Sequence, residues 1–178
     1  MNCMTVLVED PIIDTVLDRY AAMIGDSLTD YRNHLYRGMN YQLRLLGMTE
    51  APPEIALAWA THDIGIWTAG TWDYLDPSVT LAEQLAPEFG ITDASRVKAM
   101  VADHHKLRSA EDLWVEMFRL GDRVDAFHGL YAWTGLERSD VREVVEALPY
   151  GGFHGFLLRT AGKWTLKHPL RPMPMLRW

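Results

Sequence analysis

The chain has 178 residues, 48% of them hydrophobic, and its 17 Lys and Arg against 24 Asp and Glu leave a formal net charge of -7. That length suits one domain with a sizeable core, and the acidic balance argues against non-specific binding to nucleic acid or to an anionic membrane. The single cysteine, Cys3, excludes an internal disulfide; no apolar run approaches the roughly 20 residues of a membrane span, and no basic segment followed by an apolar run opens the chain, so a cytoplasmic location is expected.

In chain order, Pro11 to Ile24 places Ile12, Ile13, Val16, Leu17, Tyr20 and Met23 at helical spacing behind a proline suited to a first turn. Ser27 to Leu46 predicts a second helix, striped by Leu28, Tyr31, Leu35, Met39, Leu43 and Leu46, with His34 inside it and Gly47 as its stop. Pro52 and Pro53 open a third, from Glu54 to about Asp63, whose run Ile55 to Ala60 has almost no polar face, as expected of a helix central to a core. Gly65 to Pro77 reads as a loop in which Trp67, Trp72 and Tyr74 either line a pocket or simply pack. Further helices are predicted from Asp76 to about Phe89, Ala94 to Leu107 (capped by Thr92 or Asp93), Ala110 to about Phe127 (capped by Ser109), Ser139 to Ala147, and Phe153 to Lys167. Nothing alternates as a strand, so one all-α domain is expected. In the tail from His168 to Trp178 three prolines forbid a helix, while Met173, Met175, Leu176 and Trp178 are too apolar for a solvated end. The tail is expected to pack along the domain or onto a second subunit, which makes a homodimer the partner expectation.

Chemistry concentrates in a few places. His62 and Asp63 end an apolar helix, where two ionisable groups cost roughly several kcal/mol to desolvate unless a partner or metal compensates them. Neutral His and ionised Asp are ordinary ligands of a divalent cation, although a helix end favoured by the dipole, followed by a turn Asp, also explains the pair. Asp30, His34 and Arg37 share one helix face, as a solvated ionic patch or as metal ligand, supporting carboxylate and anion clamp. His104 falls on an apolar stripe with His105 beside it and Lys106 next, and Asp122 and Asp125 are interleaved with Val124, Ala126 and Phe127. An Asp buried without a partner is rare, so at least one of these two is a ligand or an ion-pair member.

The ordered set His34, His62-Asp63, and Asp122 within Leu-Gly-Asp-Arg-Val-Asp-Ala resembles the HD superfamily of metal-dependent phosphohydrolases over about residues 28–128. The resemblance implies an all-α core, with 129–167 as a helical extension and 168–178 as an extended tail. It implies one divalent ion (Mn, Co, Ni, Zn, Mg or Fe) held by His34, His62, Asp63 and Asp122. A second ion would draw on His104, His105 and Asp30. Asp63 would also orient the attacking water, Arg37 or else Lys106 would hold a phosphate, and the substrate would be a small phosphoester or nucleotide-like molecule. The chain departs from the pattern at Ile66, where many members carry a lysine, and in lacking a histidine between the doublet and the later pair, where Asp73, Asp76 and Glu83 are the local oxygen donors. Other members are di-iron oxygenases or hydratases of small nitriles, and a non-catalytic binding protein on the same ligands is the third possibility.

Overall fold

A computed structural model describes residues 5–129 and 134–176; Cys3 and Trp178 lie outside them. The helices are α1 (Pro11–Ile24), α2 (Leu28–Leu46), α3 (Pro53–Thr61), a single turn α4 (Gly65–Thr68), α5 (Leu75–Leu85), α6 (Ser95–Asp103), α7 (Leu113–Ala126), α8 (Arg138–Ala147) and α9 (Phe153–Lys167), and no strand occurs among the described residues. Local chemistry sets the ends. Asp10 accepts the Ile12 and Ile13 N–H groups ahead of α1, and Gly47 stops α2 in the left-handed region at φ 68°. The cap of α7 is Asp112, which accepts from the Trp114 and Val115 N–H groups, so that helix starts later than a Ser109 cap would place it. Helix α6 ends at Asp103, which puts His104 and His105 just beyond its last turn. Between Gly65 and Tyr74 the expected loop contains the single turn α4, and α5 begins at Leu75.

Helix α2 is the axis, packed by α1, α3, α7, α8 and α9. Two glycines let α7 approach it. A Cβ on Gly121 would stand 2.8 Å from the Gly38 carbonyl oxygen, and one on Gly38 would meet the Trp59 ring at 2.2 Å. The helices therefore touch backbone to backbone, with Trp59 stacked on Phe118 at 4.1 Å and its indole N–H donating to Gln42 Oε1 at 2.7 Å. Each fully buried large side chain contributes roughly 1.5–3 kcal/mol by leaving water. Because α3 is apolar on every face, burial of Ile55 through Thr61 fixes it in the middle of the core, with the residues that follow it under the crossing of α2 and α7.

The two C-terminal helices belong to the same packing unit. Val144, Leu148 and Phe153 enter the main core cluster, and Asp30 on α2 accepts the Gly152 N–H at 2.5 Å, docking the start of α9. The tail packs along the domain: Met175 is buried with Ile66, Trp72, Tyr74 and Leu75, the Trp164 indole donates to Arg171 O at 2.8 Å, and Arg171 pairs with Asp73 at 3.0 Å.

Candidate metal centre

Helix α3 ends at Thr61, and the turn after it presents His62 and Asp63 to one point. That turn is tight because Gly65 lies against the next segment: its N–H donates to Ser78 Oγ at 3.0 Å, and a Cβ there would stand 2.6 Å from the Tyr74 carbonyl oxygen. Helix α2 brings His34 opposite, with Nε2 3.1 Å from His62 Nε2 and 3.6 Å from Asp63 Oδ2. Helix α7 brings Asp122, whose Oδ1 lies 3.8 Å from both His34 Nε2 and His62 Nε2. His104, beyond α6, approaches from the other side, its Nε2 3.5 Å from Asp63 Oδ1. Thus His34, His62, Asp63, Asp122 and His104 converge, all buried.

Two groups of donor atoms are close enough to hold an ion, His34 with His62 and Asp63, and Asp63 with His104 and His105. Asp63 belongs to both, one oxygen facing each. The backbone orients the rings: His62 Nδ1 donates to Trp59 O at 3.0 Å and His104 Nδ1 to Val101 O at 2.7 Å. A carbonyl only accepts, so each Nδ1 carries hydrogen, and in the neutral ring the Nε2 lone pair faces inward. His34 Nδ1 is likewise engaged by Asp125 Oδ2 at 2.7 Å. The donor set fits a divalent cation on a further count: Asp63 Oδ1 and His104 Nε2 are buried with no hydrogen-bond partner, an arrangement that costs roughly 1–3 kcal/mol per group unless something else occupies them.

Electrostatics follows from this crowding. Burial works against a charged His34, but its hydrogen bonds to Asp125 and Asp63 outweigh burial and raise it to about 9. His34 Nε2 lies 3.1 Å from His62 Nε2, so a proton there and a cation there exclude one another. Burial pushes Asp63 upward, and the imidazoles of His62, His104 and His34 around it override burial, holding the carboxylate well below its ordinary value. His105, lowered by burial and by neighbouring His104, stays neutral, its Nε2 2.8 Å from the Tyr74 hydroxyl.

Three residues singled out in the sequence lie elsewhere. Arg37 is fully buried behind the site: its guanidinium grips both oxygens of Asp125, Nη1 donates to Leu148 O at 3.2 Å and Pro149 O at 3.1 Å, and its face rests on Tyr150 at 4.1 Å. It braces His34 through Asp125 instead of facing a substrate as an anion clamp. Lys106 pairs with Asp103 at 3.5 Å, outside the cavity lining, and Asp30 is spent on the Gly152 amide, outside both ligand groups. Asp73 and Glu83 are also paired elsewhere, with Arg171 and Lys98.

The centre opens into a cavity of about 520 Å³ lined by His34, Asp63, His105 and Asp122 together with residues of α9 and the tail. Trp72 and Tyr74 line it, whereas Trp67 stacks on Phe156 at 5.3 Å away from it. Sequence reasoning missed His154, which lines the cavity and donates through Nε2 to Asp125 O at 3.1 Å, and Arg123, which donates to Lys106 O at 2.6 Å and is the one Lys or Arg among the described lining residues. The residue pattern held a signal for Arg123 alone, as the Arg of Asp-Arg-Val-Asp. Compared with known proteins, the chain matches no family model, no curated protein and no solved structure.

Proposed function

We propose that this chain is a metal-dependent enzyme of the HD type, acting on a small molecule through a metal-activated water. The observation that supports it most is the placing of Asp63, one oxygen towards His34 and His62 and the other, unpartnered, towards His104. Divalent ions there would supply a water of lowered pKa and a Lewis acid for the group under attack. His34, His62, Asp63 and Asp122 would hold one ion, and Asp63, His104 and His105 a second. Asp125 fixes the His34 tautomer, and the apolar walls of the cavity keep bulk water away, which strengthens the field of the centre. Hydrolysis of a phosphoester is the reaction the resemblance implies. Arg123, which lines the cavity while donating to Lys106 O, would meet one anionic group, since a guanidinium has five N–H donors and pairs well with phosphate or carboxylate oxygens.

A second reading, a di-iron oxygenase or a small-molecule hydratase on the same ligands, is favoured by one observation: Arg37 and Lys106 both point their charges elsewhere, so the cavity has little with which to bind phosphate. The test is a panel assay with Mn, Co, Ni, Zn, Mg or Fe added singly, following phosphate release, nitrile hydration and oxygen uptake. Metal-stimulated phosphate release that Asp63→Ala abolishes supports the hydrolase, and oxygen uptake with iron alone favours the second reading. Turnover unchanged by chelator, or by Asp63→Ala, would refute both.

A further inference from the structure

The cavity beside the His/Asp centre changes character along its length. Its ionisable lining groups, His34, Asp63, Tyr74, His105, Asp122, Arg123 and His154, come from α2, the turn after α3, the residue before α5, the turn after α6, α7 and the first turn of α9. The rest of the walls are apolar: Phe153, packed on the His34 ring at 4.6 Å, with Trp72, Leu157, Ala161 and Met175. The apolar character does not stop at the surface. Five residues that line the cavity also reach solvent, Leu158 at 75% exposure, Phe127 at 49%, Leu107 and Met173 at 44% and Leu176 at 43%. Single exposed apolar residues are ordinary, but five around one mouth form a continuous patch of the kind that marks a binding groove. The volume is that of a small-molecule site. Two of the wall and rim residues are methionines of the tail, whose unbranched side chains adapt to differing shapes, and the Trp164 and Arg171 contacts hold that tail in place.

We infer that the cavity takes a ligand with an elongated apolar body and one polar or anionic head, the head lying between Asp63 and Arg123 and the body running out between α9 and the tail. The inference deepens the enzyme reading above, and rests on it for what happens to the head. A nucleotide is a poor match. Its base and ribose need matched donors and acceptors along the walls, and a polyphosphate needs more than the single Arg present, because a buried polar group left unpaired costs most of what binding gains. A second copy of this chain is also a poor match, because the apolar patch continues inward to the His/Asp centre and so calls for an occupant narrow enough to enter.

Binding is best read by calorimetry on the metal-loaded full chain with methyl-, butyl- and octylphosphonate, which cannot be hydrolysed as esters, and with adenosine monophosphate. Affinity is expected to rise about 3–4-fold for each added methylene until the body reaches the rim, with octylphosphonate bound more tightly than the nucleotide. Leu158→Glu at the exposed rim, and Ala161→Trp in the wall, should each weaken octylphosphonate at least about tenfold, as expected when an apolar body loses its surface, while methylphosphonate affinity and metal content stay unchanged. Leu158→Glu sits on an exposed surface, so it keeps the test valid if the bulkier change disturbs folding. Affinity independent of chain length, or tighter binding of the nucleotide, overturns the inference and leaves the metal reading intact. A dimer in solution that Leu158→Glu splits, without chain-length dependence, gives the mouth to a second copy and also overturns it. Chain-length dependence in a protein that retains no metal sinks the enzyme reading and leaves the apolar-bodied ligand supported.

Discussion

Asp125 stands directly behind His34, its Oδ2 2.7 Å from His34 Nδ1, while the guanidinium of Arg37 closes on both of its oxygens. A carboxylate in this position fixes the ring and raises its basicity as a ligand, and such partners are typically worth 10–100-fold in metal affinity. Asp125→Asn keeps an acceptor for the ring but loses the charge; it is expected to fold and to bind metal about 10–100-fold more weakly by competition with a chromophoric chelator. Asp125→Ala leaves Arg37 buried and unpaired, and chemical denaturation should show a loss of about 3–5 kcal/mol. Equal metal affinity in wild type and Asp125→Asn would show that the carboxylate does not support the ligand.

Helix α2 meets α7 through Gly38 and Gly121, so metal affinity should depend on residues that touch no ligand. Gly121→Ala drives a methyl into the Gly38 carbonyl, and Gly38→Ala drives one into the Trp59 ring. Overpacking of this kind costs about 1–3 kcal/mol, and separating the two helices also separates His34 from Asp122. Both variants are expected to melt earlier and bind metal more weakly. A variant as stable as wild type with unchanged affinity would contradict the close approach.

Asp30 distinguishes a docking contact from a ligand. As the acceptor for the Gly152 N–H it contributes to docking α9, so Asp30→Ala should cost about 1–3 kcal/mol in denaturant unfolding with metal stoichiometry unchanged. Loss of one ion per chain in that variant would return Asp30 to the metal centre.

The metal-free chain should show a particular pH profile. His34 is raised from 6.5 to about 9, so its contribution is fully present below about pH 6.5 and is lost as pH rises through about 9. Asp125 is lowered from 3.8, burial being overcome by hydrogen bonds from His34 and Arg37, so its contribution is present above that value and lost as acid protonates it. Melting temperatures in chelator should therefore decline from pH 6.5 towards 9 and again in acid. Metal needs the unprotonated Nε2, so apparent affinity should rise about tenfold per pH unit up to about pH 9 for the one proton displaced. A metal-free melting temperature that is flat from 6.5 to 9.5 would contradict the proton on His34.

Much of this was legible in the sequence, because the deciding chemistry was local. Helices α1 and α9 run over the expected residues, Pro11–Ile24 and Phe153–Lys167, with Pro11 in the first turn of α1 as its rigid ring favours. His34, Asp122 and His104 fall among apolar residues that turn them inward, and His62 and Asp63 meet them because the turn at Gly65 follows the buried helix α3. What spacing could not show is which partner a buried charge chooses. Arg37 lies on the expected face, yet its partner is Asp125 on a helix 88 residues later. Ser109 and Asp112 are both good caps, and only the backbone path decides for Asp112. The cavity walls were out of reach for the same reason: the C-terminal helix and the tail close over the site through Asp30–Gly152 and Arg171–Asp73 contacts that join distant segments.

The most direct measurement is metal content per chain, by elemental analysis after titration with Mn, Co, Ni, Zn, Mg and Fe in turn, for wild type, Asp63→Asn and Asp63→Ala, with circular dichroism to confirm the fold. Asp63 serves both ligand groups, so the account predicts two ions per wild-type chain and the loss of both in Asp63→Ala with helicity retained. A wild-type chain that takes up no metal, or an Asp63→Ala chain that holds as much as wild type, would contradict it.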